Sequence, residues 1–254
     1  MLTGRFSMYQ DRTYRNLVYS KDLVSFRVIV KETDVLIHAE KHLEDITKEL
    51  ILRHRGYIEN YIQRYTGFLR TLDPWRIRGP APLIIKDMVA AGSKAGVGPM
   101  AAVAGAIAEH VGVDLLLHTN QVVVENGGDV FLKTNDRVIV GIFAGRSPLS
   151  LRIGLSVDSG NKAVSVCTSS GTVGHSLSFG KADAVCVISK SGSLSDAAAT
   201  SIGNHVKSKT DIQTAIDFGK RIKGVSGIVV IADDEIGLWG DLSVVPLAEK
   251  RVEF

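Results

Sequence analysis

Cysteine, proline and aromatic residues are scarce in this sequence of 254 residues, which has 2 Cys, 6 Pro, 2 Trp, 6 Tyr and 8 Phe. Two cysteines are too few for a disulfide framework or for a tetrahedral zinc site built from thiolates. Cys167 and Cys186 both lie within apolar runs, so the simplest interpretation is a pair of buried thiols. A chain of this length can bury a core that needs no such cross-links.

An excess of charge of one sign is also missing. The 30 Lys and Arg residues nearly balance the 27 Asp and Glu residues, giving a formal net charge of +3. No run rich in Lys and Arg occurs, and no basic stripe alternates with aromatic residues. The sequence therefore predicts no nucleic-acid partner.

Long apolar runs are absent as well. The longest weakly polar stretch, residues 95–108, ends at Glu109 and is shorter than the roughly 18 apolar residues of a membrane-spanning helix. Arg5, Arg12 and Arg15 lie where a secretory signal would need an apolar segment. We therefore expect a cytoplasmic protein with no membrane partner.

What the sequence does contain is divided unevenly near residue 80. Residues 1–80 include 10 of the 16 aromatic residues but only 4 of the 25 glycines. Residues 73–82 hold three of the six prolines and are interpreted as a connector. We predict a single domain over residues 1–254, with an aromatic strand and helix part at 1–80 and a glycine-rich, site-bearing part at 81–254.

Hydrophobic periodicity predicts a mixture of strands and helices without strict βαβ alternation, which indicates an α+β fold with mainly antiparallel sheets. Gly56 is a candidate break in the first helix, whose apolar stripe includes Tyr57. Asn126-Gly127-Gly128 and Thr134-Asn135-Asp136 are hairpin signals. The predicted strands are 23–30, 36–37, 121–125, 129–133, 137–143, 151–157, 163–167, 184–189 and 227–232, and the predicted helices are 43–68, 83–91, 99–111, 196–205 and 211–221.

One helical motif offers oxygen ligands for a cation. Asp196 and Thr200 are four residues apart, so their side chains share one helix face. Mg²⁺ needs few protein oxygens, because it keeps waters and binds substrate phosphates. Ser193 and Asp196 also fit a capping box, and this motif alone favours the cap.

Two glycine-rich segments have similar double interpretations. Asn126-Gly127-Gly128-Asp129 is by itself more typical of a turn than of a site. Residues 167–180 follow a strand with several hydroxyls, three glycines and His175, which favours a phosphate-binding loop slightly over a plain connection. A nucleophilic pair of Cys167 and His175 is a weaker hypothesis than ligand binding.

The order of these motifs resembles that of the ApbE superfamily of FAD-dependent, Mg²⁺-requiring flavin transferases. A small-residue stretch GVGPMAAVAGAIAEHVG precedes ENGGDVFL, then CTSSGTVGH, then the SDAAATSIGN helix. The resemblance covers roughly residues 80–205. The whole chain, with YRNLVYSKDLVSF near its start and GLWGDL near its end, is similar to a short uncharacterised bacterial and archaeal branch. It implies an ApbE-like fold with two lobes fused in one domain.

The resemblance also implies roles for particular residues. Mg²⁺ would be held by Asp196, Thr200 and a backbone carbonyl near Met100. His175 and Asp196 would be the catalytic residues, and His175 would also line the pocket. The remaining flavin-nucleotide contacts would come from Gly98, Asn126, Gly127, Gly128, Asp129, Thr168, Ser169, Ser170 and Gly171.

The sequence departs from the family in four respects, of which the first two lie where the transfer chemistry would happen and the fourth is the aromatic N-terminal part, which matches only the uncharacterised branch. The family's Ala-Lys-Gly lysine is missing at Met100-Ala101-Ala102, and its Asp-Pro after the pocket histidine is missing after His175. An export signal is the third feature that is not found. The metal and nucleotide half of the site therefore matches better than the half that would handle an acceptor protein.

The resemblance implies a Mg²⁺-dependent FAD-binding protein, and further an FMN transferase or an enzyme that cleaves the FAD pyrophosphate and releases AMP. The alternatives are a non-catalytic flavin-binding protein and an accessory protein of sulfur assimilation, from sulfide to homocysteine, in which Cys167 takes part. An assembly protein that docks through its aromatic N-terminal part is a fourth hypothesis. Family habit implies a homodimer.

Overall fold

The structure is a computed structural model that describes residues 23–160, 162–171 and 180–247. Within these residues it contains eleven strands and five α-helices. The strands are β1 (Val24–Val30), β2 (Thr33–Ala39), β3 (Val122–Asn126), β4 (Asp129–Lys133), β5 (Val138–Gly141), β6 (Ile153–Val157), β7 (Val164–Ser169), β8 (Ala184–Ser189), β9 (Val225–Ala232), β10 (Glu235–Gly240) and β11 (Val244–Pro246). The helices are α1 (Glu44–Arg64), α2 (Leu83–Ala95), α3 (Val103–Leu115), α4 (Gly192–Asn204) and α5 (Ile212–Gly219).

Eight of the strands form one large sheet in the order β1-β2-β3-β4-β7-β8-β9-β10. Every described pair in it is antiparallel, which confirms the predicted α+β class with mainly antiparallel sheet. Six of its seven neighbouring pairs join strands that are consecutive in sequence, and only the pair of β4 with β7 skips strands, namely β5 and β6. Strands from before residue 80 and after it therefore share one sheet.

The prediction of a hairpin at Thr134-Asn135-Asp136 is wrong. β4 before this segment belongs to the large sheet, whereas β5 after it pairs with β6 in a separate sheet ordered β11-β6-β5. The Thr134 hydroxyl donates to the Asp136 carbonyl at 2.8 Å, so the polar residues form a local turn. That turn carries the chain from one sheet to the other, because turn chemistry alone does not select the strand that pairs next.

The first helix is more regular than the sequence suggested, and it ends at Arg64, ahead of a separate 3₁₀ turn at Thr66–Leu69. α1 runs without interruption through Gly56, whose missing side chain faces open space, so the predicted break is wrong. Its buried residues recur every three or four positions and include Leu50, Ile58 and Tyr61, as an amphipathic helix requires. Tyr57, which the stripe included, is 43% exposed.

Two apolar cores lie on the two faces of the large sheet. The first lies between the sheet and the helices, and it includes Val124, Phe131 and Ile202. The second lies between the sheet and the three-stranded sheet, and it includes Leu132, Val140 and Val166. The molecule is therefore a helical layer, a central sheet and a small covering sheet.

Within the described part of the chain, no one helix has both the length and the apolar composition needed to cross a membrane. α2 and the segment Pro99–Leu115 meet that test only when taken together, as a pair bent by 107°.

Candidate functional site

The centre of the helix-facing side of the large sheet is polar. Side chains alternate between faces along a strand, and Phe131 and Cys167 both point towards the helices, so Asp129 does as well. The pairing of Val130 with Val166 places Asp129 beside Cys167 on the neighbouring strand. Asp129 is 4% exposed and Cys167 is fully buried.

α4 covers this position and brings Asp196 to it. The helix begins at Gly192, and its N-cap is Ser191, whose hydroxyl accepts a hydrogen bond from the Leu194 backbone N–H. The capping box predicted for Ser193 and Asp196 is therefore wrong. Asp196 lies in the second turn, where its Oδ2 accepts a hydrogen bond from the Gly105 N–H of α3 at 2.9 Å.

Asp129 and Asp196 form a buried carboxyl pair joined by a hydrogen bond. Burial, followed by the charge of Asp196, raises the pKa of Asp129 well above its ordinary value. Burial also raises the pKa of Asp196 to about 7, against the opposing effect of the backbone N–H groups of Gly105 and Ala104. Burial of the two carboxyl groups beside each other therefore opposes their simultaneous ionisation unless a cation compensates their charge.

The Asn126-Gly127-Gly128-Asp129 segment is both a turn and a part of this site. Asn126 pairs with Asp129 across the β3–β4 hairpin, and the two glycines have φ values of 68° and 102°, which favour glycine. The Asn126 side-chain amide donates to the Ala104 carbonyl at 3.0 Å. The hairpin is thereby tied to the start of α3, beside Asp196.

The next predicted loop leaves β7 at the same edge. The backbone N–H of Thr168 donates to Asp129 Oδ1 at 3.2 Å, while its hydroxyl lies on the opposite face, 3.2 Å from Cys186 Sγ. Ser169 is 6% exposed, and its Oγ has no hydrogen-bond partner among the described residues. Ser170 follows it, and the Gly171 N–H donates to the Ala182 carbonyl at 3.0 Å.

His175, predicted as a pocket and catalytic residue, lies outside the described residues. Its role stays a prediction based on the resemblance.

The third edge of the site is a 3₁₀ turn, Pro99–Ala102, that precedes α3 and packs against α4. Gly98 introduces this turn and lies so close to the Thr71 carbonyl that no Cβ would fit. The Met100 carbonyl accepts the Val103 N–H, which leaves one lone pair of that oxygen for another partner. Thr200, one turn after Asp196, is 4% exposed. The structure thus packs the turn that contains Met100 against α4, the helix that carries Thr200.

Cys167 is the residue here whose chemistry the sequence left open. Its Sγ donates to the Gly192 carbonyl at 3.5 Å and also hydrogen-bonds with Asp129. Burial and the nearby carboxyl groups raise the pKa of the Cys167 thiol well above its ordinary value. A thiol that stays protonated is a poor nucleophile, so this environment favours the buried-thiol interpretation.

Two residues of the site were missed at the sequence level. Gly105 provides the N–H that Asp196 accepts, and Glu109, one turn later in α3, accepts hydrogen bonds from the first turn of α4. Glu109 is the first charged residue after Lys94. A lone carboxylate at the end of such a small-residue run was the available signal.

The residues present fit a hard cation. Among the described residues, no three His, Cys, Asp or Glu side chains converge as a ready-made cage, so a bound ion would also need hydroxyl and carbonyl oxygens. The unpartnered Ser169 hydroxyl and the two buried carboxyl groups are groups that a bound ligand or cation would satisfy. Oxygen donors with few protein charges are the usual surroundings of Mg²⁺.

Comparison with known proteins gives consistent matches along the chain. The family model described as "AbpE bacteria" matches residues 15–238. A UPF0280 protein of Methanococcus aeolicus is 38% identical over 237 residues, covering 91% of this chain and 95% of the relative. A UPF0280 protein of Methanosarcina acetivorans is 40% identical over 230 residues, covering 89% and 90%.

Two solved structures share the fold. The flavinyl transferase ApbE of Pseudomonas stutzeri, in its apo form, matches with a TM-score of 0.56 and 12% identity over 85% of this chain and 94% of that chain. The flavin transferase ApbE from Vibrio cholerae matches with a TM-score of 0.53 and 12% identity over 85% and 96%. At this identity the likeness concerns the fold.

Proposed function

Because the chain belongs to the family described as "AbpE bacteria" and shares it with the UPF0280 proteins, we propose that it is a Mg²⁺-dependent binding protein for a flavin nucleotide, with FAD as the ligand. The observation that carries this proposal is the buried pair of Asp129 and Asp196 at the centre of an ApbE-like fold. Such a pair is costly to bury unless something compensates its charge.

Asp196 and Thr200 would hold the metal, together with a backbone carbonyl of the Pro99–Ala102 turn such as that of Met100. When bound, the ion would neutralise the pyrophosphate of the nucleotide. Gly105 and Ala104 hold the Asp196 carboxylate through their N–H groups, which fixes its direction before any ligand arrives. This preorganisation reduces the entropy lost on binding.

The nucleotide would lie along the edge formed by two loops. Gly127 has no atom within contact distance of its missing side chain, and Gly128 has only the Thr168 carbonyl at 3.9 Å, so a ligand can approach this backbone closely. Ser169 ends the adjacent strand β7, and Ser170 and Gly171 follow it. The Ser169 hydroxyl has no hydrogen-bond partner among the described residues. Together these groups suit an anionic, oxygen-rich ligand.

Transfer chemistry is the finer part of the proposal. In the transferase reading, an acceptor hydroxyl attacks the FMN phosphorus of FAD, the pyrophosphate bond breaks and AMP leaves. In that reaction the carboxyl groups of Asp129 and Asp196 would be the groups that hold a proton. No lysine occurs at Met100-Ala101-Ala102. The residues present therefore support binding of the nucleotide better than they support transfer to an acceptor protein. We further propose a cytoplasmic homodimer, on the sequence and family grounds given above.

The test is to mix purified protein with FAD, with and without Mg²⁺, and to follow flavin fluorescence and free AMP in the same sample. We expect Mg²⁺-dependent quenching of the flavin. Release of AMP would support a transferase or a pyrophosphate-cleaving enzyme, and quenching without AMP would support a flavin-binding protein. Absence of any quenching would contradict the proposal.

Matched variants make this test specific. Asp196→Ala and Thr200→Val remove the two side-chain ligands and should abolish the Mg²⁺ dependence. Asp183→Asn is the control, because Asp183 is a similarly buried aspartate that accepts the Asp233 N–H and is not among the proposed ligands. If Asp183→Asn lost binding as fully as Asp196→Ala, the assignment of the metal site would be wrong.

A further inference from the structure

Glu109 connects α3 to the first turn of α4. Its Oε2 accepts three hydrogen bonds, from Ser191 Oγ at 3.2 Å, from the Ser193 N–H at 3.2 Å and from Ser193 Oγ at 3.4 Å. Ser193 provides one of the N–H groups that a helix leaves unpaired at its start. The carboxylate oxygen of another helix thus completes the beginning of α4.

The Ser191 hydroxyl extends this connection into the helix. It donates to Glu109 and accepts the Leu194 N–H at 3.3 Å. The hydroxyl therefore bridges Glu109 and a second backbone N–H group of α4. The backbone N–H groups of Ser193 and Leu194 have no partner within α4 itself. Hydrogen bonds that lead to Glu109 of α3 therefore orient both of them. Their direction sets the rotation of α4 about its own axis.

A second contact one turn earlier in α3 defines the same alignment. Gly105 and Glu109 are four residues apart and lie on one face of α3. Gly105 and Gly192 pack backbone against backbone, so that a Cβ on either would clash with the carbonyl of the other. At this crossing the Gly105 N–H donates to Asp196. α3 therefore holds α4 at its N-cap and at the Asp196 turn.

From this geometry we propose that Glu109 is a positioning residue for the cation site. By fixing the first turn of α4, it makes Asp196 and Thr200 face Asp129 and the Pro99–Ala102 turn. Glu109 itself touches no predicted ligand of the metal. The metal part of this inference rests on the proposed function, whereas the orientation of α4 does not.

Two substitutions separate positioning from packing. Glu109→Ala removes the acceptor oxygen, whereas Glu109→Gln keeps an acceptor oxygen of the same reach. Asp114→Ala is the matched control, because Asp114 also lies on α3 and joins another helix, through a 2.9 Å hydrogen bond with His54 Nε2 of α1. It therefore removes an interhelical carboxylate without touching α4.

The first measurement is the affinity for Mn²⁺ alone, by electron paramagnetic resonance or calorimetry. Outer groups that orient metal ligands typically contribute about 10–100-fold to affinity, so Glu109→Ala should weaken Mn²⁺ binding by about tenfold or more. Glu109→Gln should restore most of the affinity, and Asp114→Ala should leave it unchanged even where it lowers the Tm. Wild-type affinity in Glu109→Ala, or an equal loss in Asp114→Ala, would overturn the inference.

The second measurement needs no metal. Amide hydrogen exchange at Ser193 and Leu194 in the metal-free protein should accelerate in Glu109→Ala and stay slow in Glu109→Gln and Asp114→Ala. If the wild-type protein bound no Mn²⁺, the proposed function would fail, and this comparison alone would decide the role of Glu109. Equal exchange in Glu109→Ala and the wild-type protein would then overturn that role.

Discussion

The two faces of the large sheet are built by the same strands but bury different groups. On the face towards the three-stranded sheet, β4 and β7 present Val130, Leu132 and Val166, all in an apolar core. On the face towards the helices, the same strands present Asp129 and Cys167 beside Asp196. Apolar burial stabilises the fold, whereas an uncompensated carboxyl pair opposes it. Both faces contribute apolar cores to stability, and the helix-facing side also carries the proposed binding site.

The largest expected effect is a loss of stability caused by a substitution on the face towards the three-stranded sheet. Leu132 is fully buried, and Leu132→Ala should lower the free energy of unfolding by about 2–5 kcal/mol because it leaves a cavity. Binding of FAD by the folded fraction should be unchanged. Denaturant unfolding and flavin fluorescence measure the two quantities. Leu117→Ala is the control, since Leu117 is 83% exposed and its loss should change stability by less than about 0.5 kcal/mol.

Asp129→Asn tests the polar face of the same strand. An asparagine can still accept the Thr168 N–H and can donate to Asp196, but it removes one buried carboxyl group. We expect weaker Mg²⁺-dependent FAD binding, by about tenfold or more, together with a more stable metal-free protein at pH 8. Calorimetry with Mg²⁺ and FAD, paired with denaturant unfolding, checks both. A variant that lost stability and kept its binding would reverse the assignment of the two faces.

The pH dependence sharpens the same comparison. The pKa of Asp196 rises from its ordinary 3.8 to about 7, so between these values the folded state holds more protons than the unfolded state. The contribution of this group to stability is thus complete below about pH 3.8 and is lost as the pH rises through about 7. The pKa of Asp129 is also raised above its ordinary 3.8, and Asp129→Asn removes that group, so the metal-free wild-type protein should lose stability relative to Asp129→Asn as the pH rises above about 3.8.

Added Mg²⁺ should oppose that loss, because the ion binds the ionised form and its stabilisation grows with pH. Thermal unfolding at a series of pH values, with and without Mg²⁺, makes this measurement. The variant serves as the reference because the buried histidines act in the opposite direction, burial lowering the pKa of His38 and of His54. A stability difference between wild type and variant that did not vary with pH would contradict the raised pKa of Asp129.

The smallest expected effect concerns the thiols, one on each face. Burial raises the pKa of Cys186 to about 12 and that of Cys167 well above its ordinary value. Neither thiol should react with iodoacetamide in the native protein, and both should react only as the protein unfolds. Mass spectrometry of labelled peptides checks this. Faster labelling of Cys167 than of Cys186 would revive the sulfur-handling hypothesis.

Much of the fold could be predicted from local patterns. The short apolar, β-branched runs of β3, β4 and β8, the amphipathic α1 and the hairpin at Gly127 and Gly128 all follow from short-range chemistry. The predictions failed where packing between segments distant in sequence determined the local structure. Ser193 and Asp196 match a cap in sequence, yet α4 starts earlier, because Glu109 and Ser191 supply its N-terminal partners.

The candidate site was predictable in its residues but not in its arrangement. The sequence alone made Asp196 and Thr200 candidate ligands, since a carboxylate and a hydroxyl four residues apart suit a cation, whereas Asp129 became a candidate pocket residue through the family resemblance. Only the tertiary structure decided that burial beside each other raises the pKa of Asp129 and of Asp196, that the Gly105 N–H donates to Asp196, and that Cys167 is buried. Burial and hydrogen bonding between distant segments set these properties, and no local pattern in a sequence encodes the distance between two helices.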